Sequence, residues 1–353
     1  MSDFEYKTNS TIGSLVGRLT SARSVMIVSH EKPDGDAIGS CAMVARALDA
    51  LGIPSETCLI GAVADSLRSL IPDLAVRLVP EEAPVDAHDL IVVVDTGAWT
   101  QLGPVAEFLR ERRERIIGID HHARGDDVAA ERIVDISCGS CTQVLVPLID
   151  EMGVALTHGA DEHRRFSIAE AAMVGLGTDT GWFRYDNCGA EGLKLAARLV
   201  EAGADKNRLT RVIEENDRPQ RIMMAGRALS SARFGDHDRS VVMSLSLEDF
   251  EATGAVAEEL AGLVNHPMSV GTLEVSVLIT QTERDRVKMS FRSKPPKVRG
   301  DSRFIDVNQL AARFGGGGHV HAAGARLDGS LENARTQVRA AITEALQAAG
   351  FSG

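Results

Sequence analysis

The chain lacks any excess of positive charge: 38 Lys and Arg residues face 50 Asp and Glu, a formal net charge of −12. An acidic protein repels a long phosphate backbone unless it carries a local basic patch. Duplex DNA is therefore excluded as the expected ligand, whereas a short or single nucleotide can be held by a few cations. Cysteine is scarce too. Cys41, Cys58, Cys138, Cys141 and Cys188 make an odd count without framework spacing, so free thiols in a reducing cytoplasm are expected rather than disulfides. No apolar run approaches the roughly 20 residues that cross a bilayer. The first residues, MSDFEYKTNS, carry neither a basic n-region nor an apolar h-region, and neither a membrane span nor a secretory leader is expected.

What is present reads as an ordinary globular protein, with 44% apolar and 25% charged residues over 353 positions. That length suits two domains. In the N-terminal half, SVMIVS (Ser24 to Ser29), LIVVVD (Leu90 to Asp95) and RIIGID (Arg115 to Asp120) are apolar nearly throughout, as strands covered on both faces of a parallel sheet are. Ile38, Cys41, Ala42, Ala45 and Leu48 fall on one helical face, and Ser167 to Gly177 and Ala190 to Ala204 read as further helices. This alternation predicts an α/β fold for residues 1–204. Residues 205–232 are helical and charged, a connector. Residues 233–353 form a smaller α/β domain: strands at Ser240 to Ser246, Leu273 to Thr280 and Arg286 to Ser293, the last two joined as a hairpin, a short helix over Asp306 to Phe314, a glycine run, and a terminal helix over Leu331 to Ala349.

The chemistry gathers at the strand ends. His30, Asp34 and Asp36 follow the first strand, Asp95 the second, and Asp120, His121 and His122 the third, and ligands of open α/β sheets bind beyond the carboxyl ends of strands. Asp179, in TDTGWFRYDN, follows an apolar helix. Taken singly, His30 reads as a packed histidine, Asp34 or Asp36 as a helix N-cap, Asp95 as a turn residue and Asp179 as part of a helix end capped by Gly181. Taken together, so many carboxylates raise one another's pKa unless a cation compensates. Two divalent ions would do so. Oxygen and imidazole donors without thiolates suit Mn²⁺, with Mg²⁺, Co²⁺ or Zn²⁺ as substitutes.

The spacing His30-x3-Asp34-x-Asp36, the strand-end Asp95, the triplet Asp120-His121-His122 and Asp179 resemble the four motifs of the DHH phosphoesterases. FGGGGHVHAAG from Phe314 and KMSFRS from Lys288 resemble the DHHA1 substrate domain of that superfamily. Length and the absence of extra domains look most like its oligoribonuclease and adenosine 3′,5′-bisphosphate phosphatase subgroup, the nanoRNase type. The resemblance implies one Mn²⁺ on His30, Asp34 and Asp95 and another on Asp36, Asp95, His121 and Asp179, with Asp95 bridging. It implies further that His122 faces the phosphoryl group, that Asp120 orients the adjacent histidines, and that the protein forms a homodimer. Cys188 stands where the family carries threonine.

In the C-terminal domain Lys288, Ser290, Arg292 and Lys294 share one face of a strand, either a solvated face or a cationic one. Gly315 to Gly318 let backbone N–H groups approach an anion. With Arg292, Ser290 and His319, the glycines Gly316, Gly317 and Gly318 are expected to hold a terminal phosphate. Cys138-Gly-Ser-Cys141 opens an apolar helical stretch and reads as packed thiols, since one C-x2-C pair is a weak zinc signal. KPPKVRG (Lys294 to Gly300) reads as a mobile loop or hairpin. The expected activity is Mn²⁺-dependent hydrolysis of short oligoribonucleotides, or removal of the 3′-phosphate from adenosine 3′,5′-bisphosphate. Hydrolysis of cyclic or linear di-adenylate, and a non-catalytic nucleotide sensor, stay open as alternatives.

Overall fold

Strands that are apolar at every position must be covered on both faces, and the N-terminal half supplies that cover. The computed structural model describes residues 4–159, 166–296 and 302–351, so positions 297–300 of the KPPKVRG stretch lie outside the described residues. The chain divides into two units, Met1–Asn216 and Asp217–Gly353.

The first unit is a six-stranded, wholly parallel sheet. Its strands are β1 (Val25–Glu31), β2 (Ser55–Ile60), β3 (Val76–Val79), β4 (Leu90–Val94), β5 (Ile116–Asp120) and β6 (Glu131–Val134), in the order β3-β2-β1-β4-β5-β6. Helices α1 (Ile12–Ser21), α2 (Gly35–Ala50), α3 (Asp65–Arg68), α4 (Ala106–Arg110), α5 (Cys141–Glu151), α6 (Ile168–Asp179), α7 (Ala190–Glu201) and α8 (Lys206–Glu214) complete it. Alternate side chains of each strand enter different cores. Ile27, Val92 and Ile117 pack with α1, α2, α5 and α6, whereas Met26, Val28, Ile91 and Val93 pack with Leu102, Val105 and Leu109 around α4. Each such side chain is fully buried, worth roughly 1.5–3 kcal/mol of hydrophobic stabilisation.

The second unit opens with α9 (Pro219–Ser230), so the charged helical stretch after residue 204 contributes α8 to one unit and α9 to the other. Its sheet holds β7 (Arg233–Gly235), β8 (Ser240–Leu245), β9 (Val275–Glu283), β10 (Arg286–Ser293), β11 (Gly317–His319) and β12 (Ala322–Asp328), ordered β11-β12-β10-β9-β8-β7. Only β8 and β9 run parallel, because a crossover containing α10 (Leu247–Thr253) lies between them. Helices α11 (Val307–Ala312) and α12 (Leu331–Ala348) cover the face that carries Val287, Met289 and Phe291. The opposite face packs under α9 and the turns at 257–260 and 263–269. Among the described residues, no helix is long and apolar enough to cross a membrane.

Candidate metal centre

The strand order reverses between β1 and β4, and at such a switch point the chain leaves neighbouring strands in opposite directions and opens a crevice at their carboxyl ends. His30 lies near the end of β1, Asp95 directly follows β4, and Asp120 ends β5 ahead of His121 and His122. Asp95 has φ 59°, a left-handed conformation that few non-glycine residues enter. It is only 3% exposed. Two helices bring the remaining carboxylates. Asp34 caps α2, accepting the N–H groups of Asp36 and Ala37 at 3.0 and 3.1 Å, and Asp36 sits in that helix's first turn. Asp179 closes α6. Helices α2 and α6 touch without intervening side chains, since a Cβ on Gly39 would lie 2.5 Å from the Ala171 carbonyl and one on Gly175 2.4 Å from Asp36 Oδ1.

Among the described residues, three groups of donor atoms, each within 4.8 Å of one another, result: His30, Asp34 and Asp95; Asp36, His121 and Asp179; and Asp95, His121 and His122. The two oxygens of Asp95 face different ways, Oδ2 lying 3.4 Å from His30 Nε2 and Oδ1 3.5 Å from His121 Nε2. His121 Nε2 also lies 3.3 Å from Asp179 and 3.7 Å from Asp36. All six residues expected to bind metal are thus brought together. Two carboxylates 4.8 Å apart repel by roughly 3.5 kcal/mol at an effective dielectric constant near 20.

Both inner imidazoles are held in one orientation by the main chain. His30 Nδ1 is 3.0 Å from the Glu31 carbonyl and His121 Nδ1 is 3.3 Å from that of Cys138. A carbonyl only accepts, so each Nδ1 carries the proton, and in the neutral ring Nε2 presents a lone pair. That lone pair is turned toward carboxylate oxygens, which also only accept. Asp95 Oδ1 and His121 Nε2 are indeed buried without a hydrogen-bond partner. Acceptors facing acceptors require a cation between them, and these residues fit divalent metal.

Without metal, protons take that role. Burial disfavours the charged His30 ring, yet its bonds to Asp34 and Asp95 outweigh burial and raise it to about 11. His121 is likewise opposed by burial but lifted by Asp95, Asp36 and Asp179 to about 9. Burial and the charges of Asp95 and Asp34 push Asp179 up to about 7. Asp36, fully buried beside Asp95 and Asp179, rises well above the usual carboxylate range.

Asp120 stands outside these groups. Its Oδ1 accepts His122 Nδ1 at 2.7 Å and the backbone N–H groups of His121 and His122 at 2.8 and 3.2 Å. The bond to Asp120 raises the imidazole of half-exposed His122. Asp120 Oδ2 accepts the Tyr6 hydroxyl at 2.7 Å. Sequence reasoning missed Tyr6, which stands in a short polar segment without periodicity, and also the Cys138 carbonyl, which no side-chain pattern reveals. The thiols of this region are packed: Cys141 is buried with Sγ 3.2 Å from the Ile119 carbonyl, and Cys138 is partly buried. Asn187, just before Cys188, holds the carbonyls of Gly139 and Asp179 through its amide.

The other expected residues occupy the second unit. Register across β10, β12 and β11 places Arg292, Ala322 and His319 in one row and Ser290, Gly324 and Gly317 in the next but one, on the same face. Lys288, Ser290 and Arg292 line a recess of about 330 Å³ beneath residues 257–264. The glycine run departs from its expected part as a row of open N–H groups. Those of Gly315, Gly316 and Gly318 already donate to Ala312, Ala311 and Asn308. Here glycine permits close packing, because a Cβ on Gly316 would fall 2.2 Å from the Gly324 carbonyl.

A parallel-sheet unit with this Asp and His cluster, followed by a second α/β unit, defines a metal-dependent phosphoesterase. Residues 24–178 match the family model of the DHH family N-terminal domain and residues 240–348 that of the DHHA1 domain. The chain belongs to the DHH–DHHA1 phosphoesterases. It is 31% identical over 330 residues to the bifunctional oligoribonuclease and PAP phosphatase NrnA of Thermus thermophilus, covering 93% of this chain and 91% of that one. The Bacillus subtilis protein of the same description is 24% identical, over 86% and 89% of the two chains. Among solved structures, an exopolyphosphatase-related protein from Bacteroides fragilis superposes with a TM-score of 0.85 at 25% identity, covering 96% of this chain and 97% of that one.

Proposed function

We propose that this protein hydrolyses short oligoribonucleotides to nucleoside monophosphates and removes the 3′-phosphate of adenosine 3′,5′-bisphosphate, using two Mn²⁺ ions. The observation that carries the reading is the pair of imidazole Nε2 atoms turned toward Asp95 from opposite sides, each ring held by a backbone carbonyl. His30, Asp34 and Asp95 would hold one ion, and Asp36, Asp95, His121 and Asp179 the other. A donor set of carboxylate and imidazole without thiolate suits Mn²⁺, with Mg²⁺ or Co²⁺ as substitutes. When bound, such a pair supplies an acidified water and offsets the charge on phosphoryl oxygens.

The chain's own residues supply the rest. Asp120, accepting from Nδ1, raises His122 and favours its imidazolium, whose outer N–H donates to the phosphoryl group or to the leaving oxygen. Arg292 and His319, in one row of the second sheet, together with Ser290, grip the terminal phosphate. Arginine suits that task because its planar fork matches two phosphate oxygens. The two NrnA relatives, each a bifunctional oligoribonuclease and PAP phosphatase by name, support both substrates.

The test is a substrate panel with purified protein and Mn²⁺: dinucleotides to pentanucleotides, adenosine bisphosphate, and linear and cyclic di-adenylate. Release of nucleoside monophosphate from the oligomers and of inorganic phosphate from the bisphosphate is expected. Turnover confined to di-adenylate would replace the substrate assignment, and tight nucleotide binding without turnover would make the protein a sensor.

A further inference from the structure

We infer that Tyr6 is a positioning residue for the reaction, holding Asp120 and, through it, His122; this rests on the role given to His122 above. The segment ahead of α1 lies along the outer edge of β6. Thr8 Oγ donates to the Val134 carbonyl and accepts the Val134 N–H, both at 2.8 Å. Asn9 exchanges bonds with Arg132 through its backbone N–H at 3.1 Å and its Oδ1 at 2.7 Å, and its Nδ2 reaches the Ala130 carbonyl. Arg132 adds a bond from Nε to the Lys7 carbonyl at 3.0 Å. Its guanidinium lies 4.8 Å from the Phe4 ring and 5.9 Å from that of Tyr6. An edge strand left open presents unpaired backbone groups, and this strap covers it.

The strap also delivers the phenol. Tyr6 donates to Asp120 Oδ2 at 2.7 Å, while Asp120 Oδ1 accepts His122 Nδ1 at the same distance. The fold keeps room for this ring. A Cβ on Gly97, two residues after Asp95, would lie 2.0 Å from the phenol oxygen, and one on Gly125, three after His122, 2.7 Å from the ring. Packing alone would be served by phenylalanine. Here the hydroxyl meets a carboxylate with no exposed surface, whose Oδ2 would otherwise be a buried acceptor needing a donor. The carboxyl torsion of aspartate is soft and broad, so a donor on Oδ2 adds to the backbone N–H groups of His121 and His122 in keeping Oδ1 in line with the imidazole. Tyr6 touches none of the proposed metal ligands in the hydrogen bonds it makes.

The experiment uses the full chain loaded with Mn²⁺ and a short oligoribonucleotide. Tyr6→Phe, which keeps the ring, should lower kcat about tenfold, part of the roughly 10²–10⁴-fold that a positioned acid contributes. KM and Mn²⁺ affinity should stay within about twofold, and in the chain loaded with diamagnetic Mg²⁺ the low-field Nδ1 proton resonance of His122 should broaden or vanish. Gly97→Ala, which displaces the phenol, should reproduce the loss of kcat. In a His122→Ala background, assayed on an activated phosphodiester, Tyr6→Phe should cost nothing more, because residues acting as one unit are not additive. Unchanged kcat with only a lowered Tm would make Tyr6 structural and overturn the inference. So would an equal loss with and without His122. Full turnover in His122→Ala alone would instead refute the role of His122.

Discussion

The carboxylate of Asp36 caps a helix other than its own: it accepts the N–H groups of Cys141 and Thr142, at 2.5 and 3.0 Å, where α5 begins. The same side chain lies 3.7 Å from His121 Nε2. One buried group thus both ties two helices together and faces the metal donors. Each oxygen takes one of these N–H groups, so both demands fall on the same two atoms. Asp36→Asn keeps one acceptor and turns an amide NH2 against the other N–H. Metal-free Asp36→Asn should therefore melt lower than the metal-free parent, by the roughly 1–3 kcal/mol that a buried donor left without an acceptor costs. Its Mn²⁺ affinity should fall by at least about tenfold, as losses around metal ligands do. Calorimetry with and without the ion reads both.

Asp95 is the residue that the two inner groups have between them. Asp95→Ala should abolish both turnover and metal retention, measured as phosphate release and as metal content after gel filtration. Normal turnover in that variant would end the assignment of the centre.

Stability of the metal-free protein should fall as pH rises from about 6 to about 9. Asp179, His121 and His30 all have folded pKa values raised above their ordinary ones, to about 7, 9 and 11. The folded state therefore holds more protons than the unfolded chain in this window, and deprotonation works against folding. The lowered carboxyls Asp34 and Asp120 are ionised throughout it and contribute no slope. A divalent cation bound there would replace protons as the compensating charge, so Mn²⁺ should raise Tm more at pH 9 than at pH 6. A flat metal-free profile over this range would contradict the electrostatic account.

Arg292→Ala should raise KM for a phosphorylated dinucleotide by more than about tenfold while leaving an activated phosphodiester that lacks a terminal phosphate nearly unaffected. Lost charge-assisted bonds to phosphate are worth about 1.5–3 kcal/mol. Equal changes for the two substrates would remove Arg292 from phosphate recognition.

Much of this was readable in advance because the signals were dense. Leu90 to Asp95 is apolar up to the residue that matters, and the structure ends β4 at Val94 with Asp95 in the crevice. The alternation of Val287, Met289 and Phe291 fixed which face of β10 is buried. Other strands carry mixed patterns: β3 and β6 show intermediate exposure at three of four positions, and β12 is built on small residues, AAGARLD. Glycine chemistry was ambiguous in principle, since a run of four serves an anion cradle and a tight strand crossing equally well. Tyr6 was invisible for a different reason: its partner lies 114 positions away, and only the three-dimensional path of the strap along β6 connects them.

Because a single Asp95 side chain turns one oxygen to each side of the centre, the two halves draw on the same negative charge. Under the proposed two-ion occupancy, whatever cation settles first would weaken the pull felt by the second. Loading would then proceed in two unequal steps, with turnover following free divalent ion in a graded way.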